Sequence, residues 1–139
     1  MLLLDNSAWY ELSYECVSPA RRNEISQRMN DGEIAVCLPF ILEAGYSAQS
    51  AVDHRQMMSD FAELPTVRIT AEVERLAQQA QRELAEIGHH RLAPVDVMIA
   101  ACAHKAEAGV LHYDSDYDIL AEKTHLVFES EWLAPRGSL

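Results

Sequence analysis

Short apolar runs that stop at a carboxylate, separated by long stretches of helical spacing, constrain this chain more than any other feature. Met1–Leu4 ends at Asp5, and Ile34–Leu38 lies between Asp31-Gly32 and Pro39. A third run, Gly109–Tyr113, stops at Asp114-Ser115-Asp116; Leu126–Phe128 is a candidate fourth strand and Pro65–Ile69 a weaker one. Runs this short and apolar read as buried strands. Between them, Val73, Leu76, Ala77, Ala80, Leu84 and Ile87 recur every three or four positions, which predicts a helix over 71–87 with Thr70 as N-cap and Gly88 closing it. Residues 19–30, 39–51, 53–63 and 95–107 also read as helices, the last with Pro94 near its first turn and its end close to Gly109. Strands joined by such segments pair in parallel through right-handed crossovers, so the expected fold class is α/β, a three-layer α/β/α sandwich around a central parallel sheet of four to five short strands.

In sheets of this kind ligands bind outside the carboxyl ends of the strands. Asp5, Asp114 and Asp116 stand just after apolar runs and are therefore expected at one sheet edge. Glu43 and Asp96 reach the same list by another route, because each interrupts an apolar stretch near a helix start, Leu38–Ala44 and Leu92–Ala101. A charge placed where burial is expected needs a partner or a metal. Carboxylates gathered at one point repel one another, and a hard divalent cation removes that penalty. Oxygen-only donors suit Mg²⁺ or Mn²⁺, and no Cys or His cluster stands at zinc spacing.

The net charge is −11, from 22 acidic and 11 basic side chains. Taken alone, that opposes a nucleic-acid partner, since phosphate contacts require Lys and Arg. Bound divalent ions would invert the local field. Arg21, Arg22 and Arg91 are the candidate phosphate contacts, Arg91 because it precedes Asp96 by five positions. Cys16, Cys37 and Cys102 are scattered among apolar neighbours, as buried thiols are, and point to a reducing, cytoplasmic setting. No apolar run approaches the roughly 20 residues of a membrane span, and Asp5 halts the first run at once, so neither a membrane segment nor a signal peptide is expected. One domain over residues 1–133 and a flexible tail over 134–139 complete the expected organisation.

The order Leu2-Leu3-Leu4-Asp5-Asn6-Ser7-Ala8-Trp9, then Leu42-Glu43, then Asp96–Ala103, then Leu111–Asp118 resembles the PIN domain, specifically the VapC ribonucleases of toxin–antitoxin pairs. Each motif is weak by itself; their order over nearly the whole chain is specific. The resemblance implies a PIN-like fold and metal ligation by Asp5, Glu43, Asp96 and Asp114, with Asp116 at the second acidic position of the last motif and Ser7 as polar support. Asn6 stands where the family often has Thr or Ser, and Asp118 adds a carboxylate that competes with Asp116 for the site. The pattern Asp-x-Asp followed by an aromatic favours Asp116. The resemblance further implies Mg²⁺- or Mn²⁺-dependent hydrolysis of RNA by water, a VapB-like antitoxin partner, and a homodimer assembling with antitoxin into a heterotetramer or larger complex.

Simpler readings stand beside these. Asp5 serves equally as a helix cap, Asp96 as a first-turn charge facing a helix dipole, and Asp114-Ser115-Asp116 as turn and cap residues. Glu43 could pair with an Arg. His112 in a strand reads as a packed, hydrogen-bonded histidine, and His89-His90 as a loop. Ser7 lacks the glycine pattern of a nucleophile elbow. Two other functions remain open at this level: a PIN-fold module that binds a partner and cleaves weakly, and an aspartyl phosphatase using Asp5, for which the second Asp is replaced by Ser7.

Overall fold

The computed structural model describes residues 1–14, 16–89 and 91–139. In chain order the elements are β1 (Leu2–Leu4), α1 (Asn6–Ser13), α2 (Pro19–Asn30), β2 (Ile34–Cys37), α3 (Leu38–Tyr46), α4 (Ala51–Ala62), β3 (Thr66–Val67), α5 (Ala71–Glu86), α6 (Pro94–Ala106), β4 (Gly109–His112), α7 (Asp116–Lys123) and β5 (Ser130–Trp132). The five strands form one parallel sheet in the order β3-β2-β1-β4-β5. Leu3 of β1 lies between Ala35 of β2 and Val110 of β4. Connections step outward from β1 to β3, then return across the sheet to β4 and β5. Right-handed crossovers then send the two sets of helices to opposite faces.

β1 is central and wholly buried, which explains why it reads as an unbroken apolar run instead of an alternating one. The sheet's direction of growth reverses beside it, and a crevice opens outside the carboxyl ends of β1 and β4. Asp5 N–H donates to the Leu111 carbonyl at 3.1 Å and fixes the chain leaving β1 against the end of β4. α6 packs beneath this edge through Val97, Ile99, Ala100, Ala101, Cys102 and Ala103, all buried. Its run of small side chains lets the helix approach β1 and β4 closely.

Several helix boundaries follow from caps visible in the sequence. Ser18 caps α2 ahead of Pro19, Ser50 caps α4, and Thr70 accepts from Val73 N–H at the start of α5. Gly88, at φ +83°, lets the chain turn so that His89 N–H reaches the Leu84 carbonyl. The expected helix over 39–51 stops at Tyr46, because Ser47 Oγ donates to the Ala44 carbonyl and Ser50 begins a new helix.

Three expectations are corrected. The strand anticipated at Leu126–Phe128 is a loop, with Leu126 buried in the core and Val127 75% exposed. β5 lies instead at Ser130–Trp132, a polar edge strand whose Glu131 is held by Arg21 and Arg28. α1 and α7 add helices where the sequence was read mainly for carboxylates. Cys37 and Cys102 are buried free thiols, but Cys16 is exposed. Of the histidine pair, His89 ends the α5 turn and His90 lies outside the described residues. Residues of the tail fold back, with Leu139 N–H donating to the Tyr113 hydroxyl at 2.9 Å. Among the described residues, no helix is long and apolar enough to cross a membrane.

Candidate metal centre

Asp5 is both a helix cap and a pocket wall. Its Oδ2 accepts from Ser7 N–H at 2.9 Å and from Ser7 Oγ–H at 2.6 Å, which starts α1. Ser7 Oγ in turn accepts Tyr113 N–H at 2.8 Å, so one hydroxyl joins the loops after β1 and β4. The carboxylate is 3% exposed, a burial it tolerates because both oxygens are hydrogen-bonded.

Asp5, Ser7, Glu43, Asp96 and Asp114 line one open pocket of about 360 Å³ at the carboxyl edge of the sheet, together with Asn6, Tyr10, Glu11, Ala93 and Tyr113. Asp116 comes in from α7, and Asp96, Asp114 and Asp116 each present an oxygen within 4.8 Å of the others. No lysine or arginine is among the described residues lining the pocket. Glu43 forms no ion pair among the described residues, which removes the Arg-partner reading of that residue.

The electrostatics follow from this crowding. Burial, reinforced by the charges of Asp5 and Asp114, pushes the Asp96 carboxyl up to about 7. Burial and the same two charges raise Glu43; burial and Asp114 raise Asp116. The N-terminus of α6 offsets part of the cost at Asp96, which sits in its first turn. Crowding of this kind raises the cost of the charged forms. A cation of high charge density fits it, since every acidic donor is a carboxylate oxygen and no thiol or imidazole lines the pocket.

Behind Asp114 a second network sets the loop. Asp118 accepts from Ser130 Oγ–H at 2.7 Å, so Ser130 Oγ is left to accept His112 Nε2–H at 2.7 Å. His112 Nδ1 is then an acceptor, and takes Asp114 N–H at 3.1 Å. This bonding requires a neutral imidazole protonated at Nε2, and burial holds the His112 pKa below its usual value.

The PIN domain family matches residues 2–123. Ribonuclease VapC18 of Mycobacterium tuberculosis is 35% identical over 143 aligned positions, covering 98% of this chain and 97% of that protein. The chain belongs to the VapC family of PIN-domain ribonucleases. The fold agrees: the VapBC2 complex from Rickettsia felis, solved with a DNA fragment from its promoter, superposes with a TM-score of 0.73 at 15% identity over 94% of this chain and 98% of that one. VapBC from Salmonella typhimurium, also DNA-bound, gives 0.73 at 16% identity over 96% and 100%.

The three arginines named from the sequence as candidate phosphate contacts lie outside the pocket lining. Arg21 is committed to β5 and its surroundings, with Nε on the Leu133 carbonyl at 2.9 Å and guanidinium contacts to Glu131 and Glu24 at 2.9 Å. Arg22 donates to the Leu12 carbonyl at 2.6 Å and closes the end of α1. Both guanidiniums make hydrogen bonds within the fold, at the polar ends of α1 and β5. Arg91 is exposed in the turn before α6, two residues from Ala93 of the pocket.

Among the polar residues in or behind this VapC-family pocket that escaped the sequence reading are Glu11 and Tyr117. Glu11 follows Ser7 by one helical turn, so helical periodicity from the Asp5 cap would have found it. Tyr117 is fully buried, and its hydroxyl donates to Asp5 Oδ1 at 2.6 Å and lies 3.2 Å from Asp96 Oδ1. Its position after Asp-x-Asp was visible, but a tyrosine in an amphipathic helix reads as packing.

Proposed function

We propose that this protein is a metal-dependent endoribonuclease toxin that hydrolyses RNA phosphodiester bonds and is held inactive by a VapB-like antitoxin. The observation that supports this most is the convergence of carboxylates, with no lysine or arginine among the described lining residues, in a chain related over nearly its whole length to VapC ribonucleases. Asp5, Glu43, Asp96, Asp114 and Asp116 are the residues proposed to hold Mg²⁺ or Mn²⁺, directly or through water. The ion supplies Lewis-acid stabilisation of charge on the phosphate and makes a water more acidic.

The chain's own groups do the rest. Ser7 and the α1 N-terminus orient Asp5, and His112 orients the main chain at Asp114. Burial and mutual repulsion raise the pKa values of Glu43 and Asp96, so a divalent cation held there would favour their charged forms. No lining group is a Cys or His nucleophile, which favours direct attack by water and a 5′-phosphate product. Arg91 is the one proposed phosphate contact of the original three that remains exposed near the pocket. The acidic surface suits a basic antitoxin segment by charge complementarity, and we place the protein in the cytoplasm as a homodimer that forms a heterotetramer or larger assembly with antitoxin.

The test is to incubate antitoxin-free protein with total RNA in Mg²⁺, Mn²⁺ and EDTA beside Asp5→Asn and Asp96→Asn. Discrete metal-dependent fragments bearing 5′-phosphates, absent with either variant, support the reading. Fragments ending in 2′,3′-cyclic phosphate, or cleavage unchanged in EDTA, refute it.

A further inference from the structure

The hydroxyl of Tyr117 has no packing purpose. The ring stacks on His112 with centroids 4.9 Å apart and planes at 29°, and the whole residue is inaccessible to solvent. A phenylalanine would fill that volume equally well. The hydroxyl instead projects between two carboxylates from elements distant in sequence, Asp5 after β1 and Asp96 in the first turn of α6.

Counting lone pairs shows what this does. Asp5 Oδ2 is occupied by the two Ser7 donors, and Oδ1 accepts the Tyr117 hydroxyl at 2.6 Å. The carboxylate is therefore gripped at both oxygens and cannot rotate, while Oδ1 keeps one lone pair for a ligand. Asp96 Oδ1 lies 3.2 Å from the same hydroxyl, whose single proton is directed by the shorter contact to Asp5. The hydroxyl thus fixes the rotation of Asp5 and leaves that carboxylate beside Asp96, whose Oδ1 lies 3.2 Å from the same oxygen.

We propose that Tyr117 is a positioning residue for the divalent cation: its hydroxyl, donating to Asp5 Oδ1, fixes that carboxylate beside Asp96 in the orientation the ion requires. The inference rests on the metal-site reading above. Hydrogen-bonding partners behind metal ligands typically change metal affinity by roughly 10- to 100-fold when removed.

The experiment measures Mn²⁺ binding calorimetrically to the full, antitoxin-free chain as wild type, Tyr117→Phe, Tyr117→4-fluorophenylalanine and Asp96→Asn, with the near-ultraviolet circular dichroism of each. The fluoro analogue fills the hydroxyl's volume without a donor, and keeps the test valid if the small void left by Phe unfolds the chain. Both donor-free variants are expected to keep the wild-type spectrum and bind Mn²⁺ roughly 10- to 100-fold more weakly. The Mn²⁺ concentration giving half-maximal RNA cleavage should rise by the same factor, with the rate at saturating Mn²⁺ little changed. Wild-type Mn²⁺ affinity in a folded donor-free variant overturns the role of Tyr117. Wild-type affinity in Asp96→Asn overturns the metal site itself, a separate result.

Discussion

Asp116 and Asp118, two residues apart in the first turn of α7, face opposite ways: Asp116 joins Asp96 and Asp114, whereas Asp118 accepts from Trp132 Nε1 at 3.1 Å and Ser130 Oγ at 2.7 Å. A two-residue step turns a helix by about 200°, so only one of such a pair can serve a given face. Asp116→Asn is expected to lower metal-dependent cleavage at least tenfold with little change in melting temperature. Asp118→Ala is expected to do the reverse, leaving Ser130 and Trp132 without an acceptor at a cost of about 1–3 kcal/mol. Urea unfolding and a cleavage assay on both variants check the split.

Stability without metal should decline with rising pH. Asp96 titrates near 3.8 in the unfolded chain and at about 7 in the folded one, so the folded state holds the extra proton between those values. The contribution is greatest at the acidic end and is lost as pH rises toward 7. Glu43 and Asp116 act in the same direction. His112 opposes them below 6.5, where the unfolded chain protonates first. Melting temperatures from pH 5 to 8.5 for wild type and Asp96→Asn, with EDTA and then Mn²⁺, isolate the effect. The variant should show the flatter profile, and Mn²⁺ should raise the wild-type melting point more at pH 8 than at pH 5.5.

Ser7→Ala removes a donor to Asp5 and the acceptor of Tyr113 N–H together. The expected loss is about 1–3 kcal/mol of stability, with weaker Mn²⁺ binding. Ser7→Thr keeps the hydroxyl and should retain both properties. Denaturant titration and calorimetry decide it.

A Cβ at Gly109 would lie 2.8 Å from the Glu129 carbonyl and from Leu2 Cδ2. Gly109→Ala is expected to destabilise the protein by about 1–3 kcal/mol, because β4 cannot move away from β1 without breaking the Leu2–Gly109 register. Thermal melting tests this, and residual activity below the new melting point should be normal.

The pocket was more legible than the fold around it. Asp5, Glu43, Asp96 and Asp114 each broke an apolar pattern, and a charge that breaks such a pattern announces itself in one dimension. β5 did not, because Ser130-Glu131-Trp132 is an edge strand whose polarity is satisfied by Arg21 and Arg28 from α2. Its apolar neighbour Leu126 was the better decoy, buried in the core from a loop. The internal bonds of Arg21 and Arg22 were hidden for the same reason: a guanidinium bound to carbonyls and one facing solvent look alike until the chain is folded. Tyr117 was hidden because burial of its ring explains the residue, and only the contacts of its hydroxyl reveal the rest.

β1 is the first strand made and β4 is the fourth, yet they are neighbours in the sheet. Asp5 is thus held in place by Leu111, Tyr113 by Ser7, and Asp5 again by Tyr117. The pocket's lining runs from Asp5 to Asp114, and its two loops meet only where β4 pairs with β1. The site therefore depends on contacts between segments more than a hundred residues apart in sequence, so a chain that loses the β1–β4 pairing keeps its carboxylates but not their convergence.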